Sequence, residues 1–161
     1  MKTILLAILL SFILITTLNA QSKYMPGLTP VDVYQSLEQI GFSTEKDLGS
    51  ELGNFWTSTL EKGGISYRVV ISSDGVNKIQ SIRGAAMKSN RNPNEVRQFF
   101  KYLTSGLFLY NNRDDSGLNN WIDRNFNQNG ATTFNGVQVK ISTPSDIVRI
   151  INIDADPTDG I

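Results

Sequence analysis

Two stretches of the chain alternate between apolar and polar side chains, and each predicts a set of antiparallel strands. In the first stretch, Ile, Tyr, Val and Ile occupy every second position of 65–71, which is the period of a half-buried strand. The dipeptide Gly63-Gly64 precedes this segment and Asp74-Gly75 follows it, and both favour tight hairpin turns. The predicted strands of this set are 55–61, 65–71 and 76–86.

The second stretch has the same order of features later in the chain. An Asn135-Gly136 turn leads into an alternating segment, then a polar turn at 143–146, then a further apolar segment. The predicted strands of this set are 131–134, 137–142 and 147–154. The two stretches match in pattern, which indicates an internal repeat.

Apolar residues at helical spacing predict a helix before the first strand set. Val33, Leu37 and Ile40 share one face of this helix, Thr29 can serve as its N-cap, and Gly41 can end it.

Two further helices are predicted between the strand sets. The first begins with the N-cap residue Asn92, a first-turn proline at Pro93 and the capping-box partner Glu95. The apolar stripes of the two helices are Val96, Phe99, Phe100, Leu103 and Leu107, and Leu118, Trp121, Ile122 and Phe126.

Two segments depart from these patterns. Residues 42–53 are mostly polar and contain two glycines, so they are predicted to form a loop. Ile79 and Ile82 are out of phase in the third predicted strand, which indicates a bulge or two buried faces.

The predicted order is helix, three strands, two helices and three strands, which indicates an α+β fold. A three-stranded unit with one apolar face needs another layer to cover it. We therefore expect two helix-plus-three-strand repeats to join into one antiparallel sheet with the helices packed on one face. One domain is expected over 29–156, with a flexible tail at 157–161.

The N-terminal segment has the layout of a secretory signal peptide over 1–20. Lys2 precedes the apolar run 4–18, and Ala20 offers a small residue for cleavage. The alternatives are an uncleaved membrane anchor, for which the run is short, and a buried helix. Cleavage would leave a polar lead-in at 21–28 and a periplasmic or secreted protein with no stable membrane insertion.

Composition removes several functional classes. The chain contains no cysteine and no histidine, which excludes Ser-His-Asp and Cys-His catalysis and the usual zinc sites. Fifteen basic residues balance fifteen acidic ones, so we expect no nucleic-acid partner.

The favoured function is a non-catalytic binding or interaction module of the bacterial envelope or extracellular space, with an unknown protein or envelope component as partner. The alternative is a small hydrolase that acts through carboxylates.

The segment 112–123 is the one candidate metal site, and calcium is the only cofactor considered. It resembles the spacing of a calcium-binding EF-hand loop, with a glycine at the sixth position. The candidate ligands are Asn112, Asp114, Ser116 and Asp123. The alternative is a helix–helix turn in which Ser116 or its neighbour caps the following helix.

Aromatic and basic side chains supply the remaining candidates. Trp56 and Tyr67 are predicted to pack in the core, or else to form an exposed binding patch. Five basic residues are predicted to form a solvated rim, or else a surface for an acidic protein partner. They are Arg83, Lys88, Arg91, Arg97 and Lys101.

Overall fold

A seven-stranded antiparallel sheet and three α-helices make up the part of the chain that the structure describes. The computed structural model describes residues 24–25, 27–50, 53–106, 116–134 and 136–155. The strands are β1 (Ser43–Ser50), β2 (Gly53–Lys62), β3 (Ile65–Asp74), β4 (Lys78–Met87), β5 (Gly130–Phe134), β6 (Val137–Ser145) and β7 (Val148–Asp154). Their order across the sheet is β1-β2-β3-β4-β7-β6-β5. The predicted α+β class with an antiparallel sheet is confirmed.

The three helices are α1 (Pro30–Gln39), α2 (Pro93–Lys101) and α3 (Ser116–Asn125). The side chains of Thr29 and Asn92 accept hydrogen bonds from first-turn backbone N–H groups, so both predicted N-caps are confirmed. A 3₁₀ turn, Ser89–Arg91, precedes α2, and a π-helical turn, Tyr102–Gly106, follows it.

The two strand sets join through β4 and β7, which pair from Ser81 opposite Asp154 to Met87 opposite Val148. The predicted repeat of one helix plus three strands is not confirmed. The first set has four strands after one helix, whereas the second has three strands after two helices.

The prediction of a loop at 42–53 was wrong, because most of this segment forms the edge strand β1. This strand pairs with β2, with Ser43 opposite Thr59 and Asp47 opposite Phe55. An edge strand is held by its backbone hydrogen bonds and keeps much of its surface in water. It can therefore be mostly polar, and no apolar alternation indicates it in the sequence.

The irregularity expected in the third predicted strand is present in β4. Ile79 and Ile82 are both fully buried. The pairing register shifts between them, since Ser72 pairs with Ser81 while Ser73 pairs with Ile79. The extra residue, Gln80, allows both isoleucines to point into the core.

The segment predicted as a polar lead-in contributes to the core. Met25 and Leu28 are buried, and the Met25 backbone N–H donates to the Ile79 carbonyl at 2.9 Å. Met25 and Leu28, which precede the predicted domain start at residue 29, therefore belong to the same core. The predicted signal peptide 1–20 and the predicted tail 157–161 lie outside the described residues.

The core lies on the face of the sheet that contacts the helices. Trp56, Ile71, Ile82, Ile153 and Val139 occupy one row across five strands, and all are buried. At Gly84, a Cβ would overlap Leu103 Cδ1 and lie 3.0 Å from Ile151 Cγ2. The missing side chain therefore lets the π-helical turn that follows α2 approach β4 closely.

Candidate functional site

A cleft of about 260 Å³ opens where the end of α1 and one face of α2 meet β2 and β3. Its walls are apolar and are formed by Ile40, Phe42, Leu60 and Phe99. A cavity with apolar walls and a few polar groups is the usual form of a small-molecule site.

The end of α1 places Phe42 in the wall of the cleft. Gly41 has a φ of +101°, a conformation that glycine adopts without steric cost. The Phe42 N–H donates to the Leu37 carbonyl at 3.1 Å, and the Gly41 N–H donates to the Glu38 carbonyl at 3.0 Å. These two hydrogen bonds are those of a Schellman motif, and they turn Phe42 back toward the sheet.

Aromatic contacts fix the inner wall. The Phe42 and Phe99 rings are stacked with centroids 5.7 Å apart, and Tyr67 meets Phe99 edge-on at 4.9 Å. Both geometries are favourable for aromatic rings, so this wall is preformed.

Tyr67 places a polar group in this apolar setting. Its side chain is only 4% exposed, and its hydroxyl has no hydrogen-bond partner among the described residues. Burial, together with the negative charge of Glu95, raises the pKa of Tyr67 to about 12. The hydroxyl therefore keeps its proton at neutral pH and remains a hydrogen-bond donor.

Tyr102 lines the same cleft but differs in one respect. Its hydroxyl donates to the Ser36 carbonyl at 3.0 Å, so its hydrogen-bonding need is met within the protein. Of the two cleft tyrosines, only Tyr67 has a donor left for a ligand.

A charged pair forms part of the rim of the cleft. Lys62 Nζ lies 3.3 Å from Glu95 Oε1, and the Asn92 amide donates to Glu95 Oε2 at 3.2 Å. The N-cap of α2 thus also holds the Glu95 carboxylate. Because Lys62 and Glu95 compensate each other, the pair brings no net charge to the rim.

The predicted calcium loop lies only partly within the described residues. Asn112 and Asp114 lie outside them, whereas Ser116 and Asp123 belong to the same helix, α3. A helix rises about 1.5 Å per residue, so Ser116 and Asp123 are roughly 10 Å apart along its axis. The two Asp123 carboxylate oxygens contact Lys101 Nζ at 2.7 Å and Arg97 Nε at 3.7 Å. Ser116 and Asp123 therefore cannot ligate one ion together, and the described residues contain no acidic cluster suited to a metal.

The aromatic and basic candidate residues lie in different parts of the fold. Trp56 and Tyr67 are 3% and 4% exposed, so the exposed patch considered for them is wrong and both pack in the core. The five basic residues do not share one surface, since Arg97 and Lys101 pair with Asp123 whereas Arg83 lies on the face of the sheet away from the helices.

Sequence reasoning identified Tyr67 but missed the cleft around it. Glu95, Gln98, Phe99 and Tyr102 occur at the spacing of one helix face, which was a usable signal for a shared surface on α2. The missing hydrogen-bond partner of Tyr67 has no sequence signal, because it depends on what packs beside the ring.

The cleft supplies one carboxylate, that of Glu95, whereas glycoside hydrolysis by carboxylates uses two. Apart from Tyr67, the buried polar side chains of the described residues are four serines and one threonine: Ser58, Ser73, Ser89, Thr104 and Ser105. No observation in this part of the chain favours the hydrolase hypothesis.

Comparisons with protein-family models, with curated proteins and with solved structures give no match. Within the ranges that the structure describes, no helix is long and apolar enough to cross a membrane.

Proposed function

We propose that this protein is an exported, non-catalytic binding module whose cleft holds a small apolar molecule with one hydrogen-bond acceptor. The observation that carries the proposal is the buried, unpartnered hydroxyl of Tyr67 between apolar walls.

The energetics favour a ligand that carries an acceptor. A buried polar group without a hydrogen bond costs about 1–3 kcal/mol. A ligand that accepts from Tyr67 recovers part of this cost, whereas water already satisfies the acceptor of the free ligand. The net gain is therefore modest and selects among ligands of similar shape.

The charges around the cleft favour a neutral ligand. Lys62 and Glu95 already pair with each other at 3.3 Å. A negatively charged ligand would meet Glu95, whose charge also acts on Tyr67. A positively charged ligand would compete with Lys62 for the same carboxylate.

Acetophenone and cumene provide a matched pair of probes. They are similar in shape, but only acetophenone carries an acceptor. We expect NMR titration to show tighter binding of acetophenone, and Tyr67→Phe to weaken that binding about two- to tenfold. Cumene binding should not fall in the same variant.

Tyr102→Phe is the control, because it removes a cleft hydroxyl that already has a partner. It should leave the preference for acetophenone intact. The proposal fails if neither probe shifts the resonances of Phe42 and Phe99, or if Tyr67→Phe keeps the wild-type preference.

A further inference from the structure

The face of the sheet away from the helices carries three basic side chains close together. Arg83 on β4 is opposite Asn152 on β7, and Lys140 on β6 is opposite the same asparagine. Strands lie about 4.8 Å apart, so Arg83 and Lys140 are roughly 10 Å apart along this row. Arg68 on β3 is opposite Ala85 and therefore diagonal to Arg83. We call Arg68, Arg83 and Lys140 the basic triad.

Within the described residues, the basic triad has no side-chain partner. None of its side chains forms an ion pair or a hydrogen bond with another described residue, whereas Lys62, Arg97 and Lys101 on the helix side are all ion-paired. Asp154 is the nearest acid by register, diagonal to both Arg83 and Lys140. It has a partner of its own, and no ion pair links it to either cation.

An apolar patch adjoins the basic triad on the same face. Ala85 is opposite Ile150 and Met87 is opposite Val148. Met87 is 53% exposed, and Ala85, Val148 and Ile150 are partly exposed. These four residues are the apolar patch. An apolar centre bordered by arginines resembles the composition of protein interfaces.

We propose that this face docks an acidic protein partner, whose carboxylates pair with the basic triad while an apolar side chain covers Met87. Arginine forms two parallel hydrogen bonds to a carboxylate, so Arg68 and Arg83 provide directional contacts. The net charge of the whole chain is zero, so a general attraction to polyanions is not expected. The positions of the three basic side chains instead favour a protein surface that carries matching carboxylates.

The site lies on the opposite side of the sheet from the cleft, because Tyr67 and Arg68 are consecutive residues of one strand. Docking on the basic triad is therefore independent of ligand binding at Tyr67.

Labelled poly(Glu,Tyr), an acidic copolymer with aromatic side chains, is a suitable probe. We expect fluorescence anisotropy to show binding that weakens about tenfold in the triple variant Arg68→Ala, Arg83→Ala, Lys140→Ala. The control triple variant Lys46→Ala, Arg91→Ala, Arg124→Ala removes the same charge away from this face of the sheet. It should bind as the wild type does.

The apolar patch has its own test. Poly(Glu,Tyr) should bind more tightly than poly-L-glutamate, and Met87→Ser should remove this difference. Val76→Ser alters an equally exposed side chain in a turn, 58% exposed, and should preserve it.

Three outcomes would overturn the proposal. The first is an absence of poly(Glu,Tyr) binding, and the second is an equal loss of binding affinity in both triple variants. The third is tighter binding of dextran sulfate or of phosphatidylglycerol vesicles than of poly(Glu,Tyr). The last result would assign the basic triad to a polysaccharide or a membrane surface instead.

Discussion

Tyr67 combines burial with an unused hydrogen-bond donor, two properties that folded proteins rarely bring together. The Phe99 ring meets the Tyr67 ring edge-on at 4.9 Å, and the Tyr67 hydroxyl exposes almost no surface in the empty cleft. The group that we propose as the source of ligand selectivity is therefore also a source of instability in the empty protein.

The titration of Tyr67 links this instability to pH. The pKa of Tyr67 is about 12 in the folded protein, against a model-compound value of 10.0. Below pH 10 the Tyr67 phenol stays protonated in both the folded and the unfolded chain. Its titration therefore takes nothing from the free energy of unfolding in that range. Between pH 10 and 12 the unfolded chain loses the proton first, and the free energy of unfolding falls as the pH rises.

We expect Tyr67→Phe to lose less stability than the wild type between pH 10 and 12, with a difference of at most about 1.4 kcal/mol per pH unit. Urea denaturation at each pH measures it. The decline that remains in the variant includes Tyr102, whose pKa is also raised by burial. Identical pH profiles for the two proteins would show that Tyr67 ionises freely in the folded state.

The packing of α2 on the sheet depends on a glycine in a strand. Gly84 faces Leu103, which is fully buried, and Ile151 on the neighbouring strand. A methyl group at this position has no room unless the π-helical turn after α2 moves away from β4. Such a movement would also disturb Phe99 and the inner wall of the cleft.

Gly84→Ala should therefore lower the free energy of unfolding by about 1–3 kcal/mol, the usual cost of overpacking a core. Gly117→Ala is the matched control, because a Cβ at Gly117, in the first turn of α3, meets no atom within 4 Å. The control should be neutral or slightly stabilising. Equal midpoints of urea unfolding for the two variants would contradict the close approach of α2.

The elements that the sequence predicted are those that bury one face. Period-two alternation located β3 and β6, and the caps at Thr29 and Asn92 located two helix starts. The polar edge strand β1 was missed because its pairing is a property of the backbone. The cleft was missed because it depends on how Gly41, Tyr67 and Glu95, which are far apart in the chain, come together.

The proposed export of the protein is compatible with where the domain begins. Met25 is the first buried residue that the structure describes, and the Tyr24 hydroxyl donates to Asp74 at 2.6 Å. Cleavage after Ala20 would leave both contacts intact.

N-terminal sequencing of the protein from a periplasmic or extracellular fraction should therefore begin near Gln21. Leu10→Arg interrupts the apolar run, and it should keep the precursor inside the cell. Membrane-bound protein that retains Met1 would contradict cleavage.

The pairing of β4 with β7 has a consequence for the order in which the molecule is made. The last strand that the structure describes, β7, lies in the interior of the sheet, between β4 and β6. Until residues 148–154 have been synthesised, β4 has an open edge and the row that contains Ile82 lacks Ile153. A chain that ends before residue 148 should accordingly show no cooperative unfolding transition. Contacts so distant in sequence form slowly, so this topology postpones folding of the sheet until β7 has been synthesised.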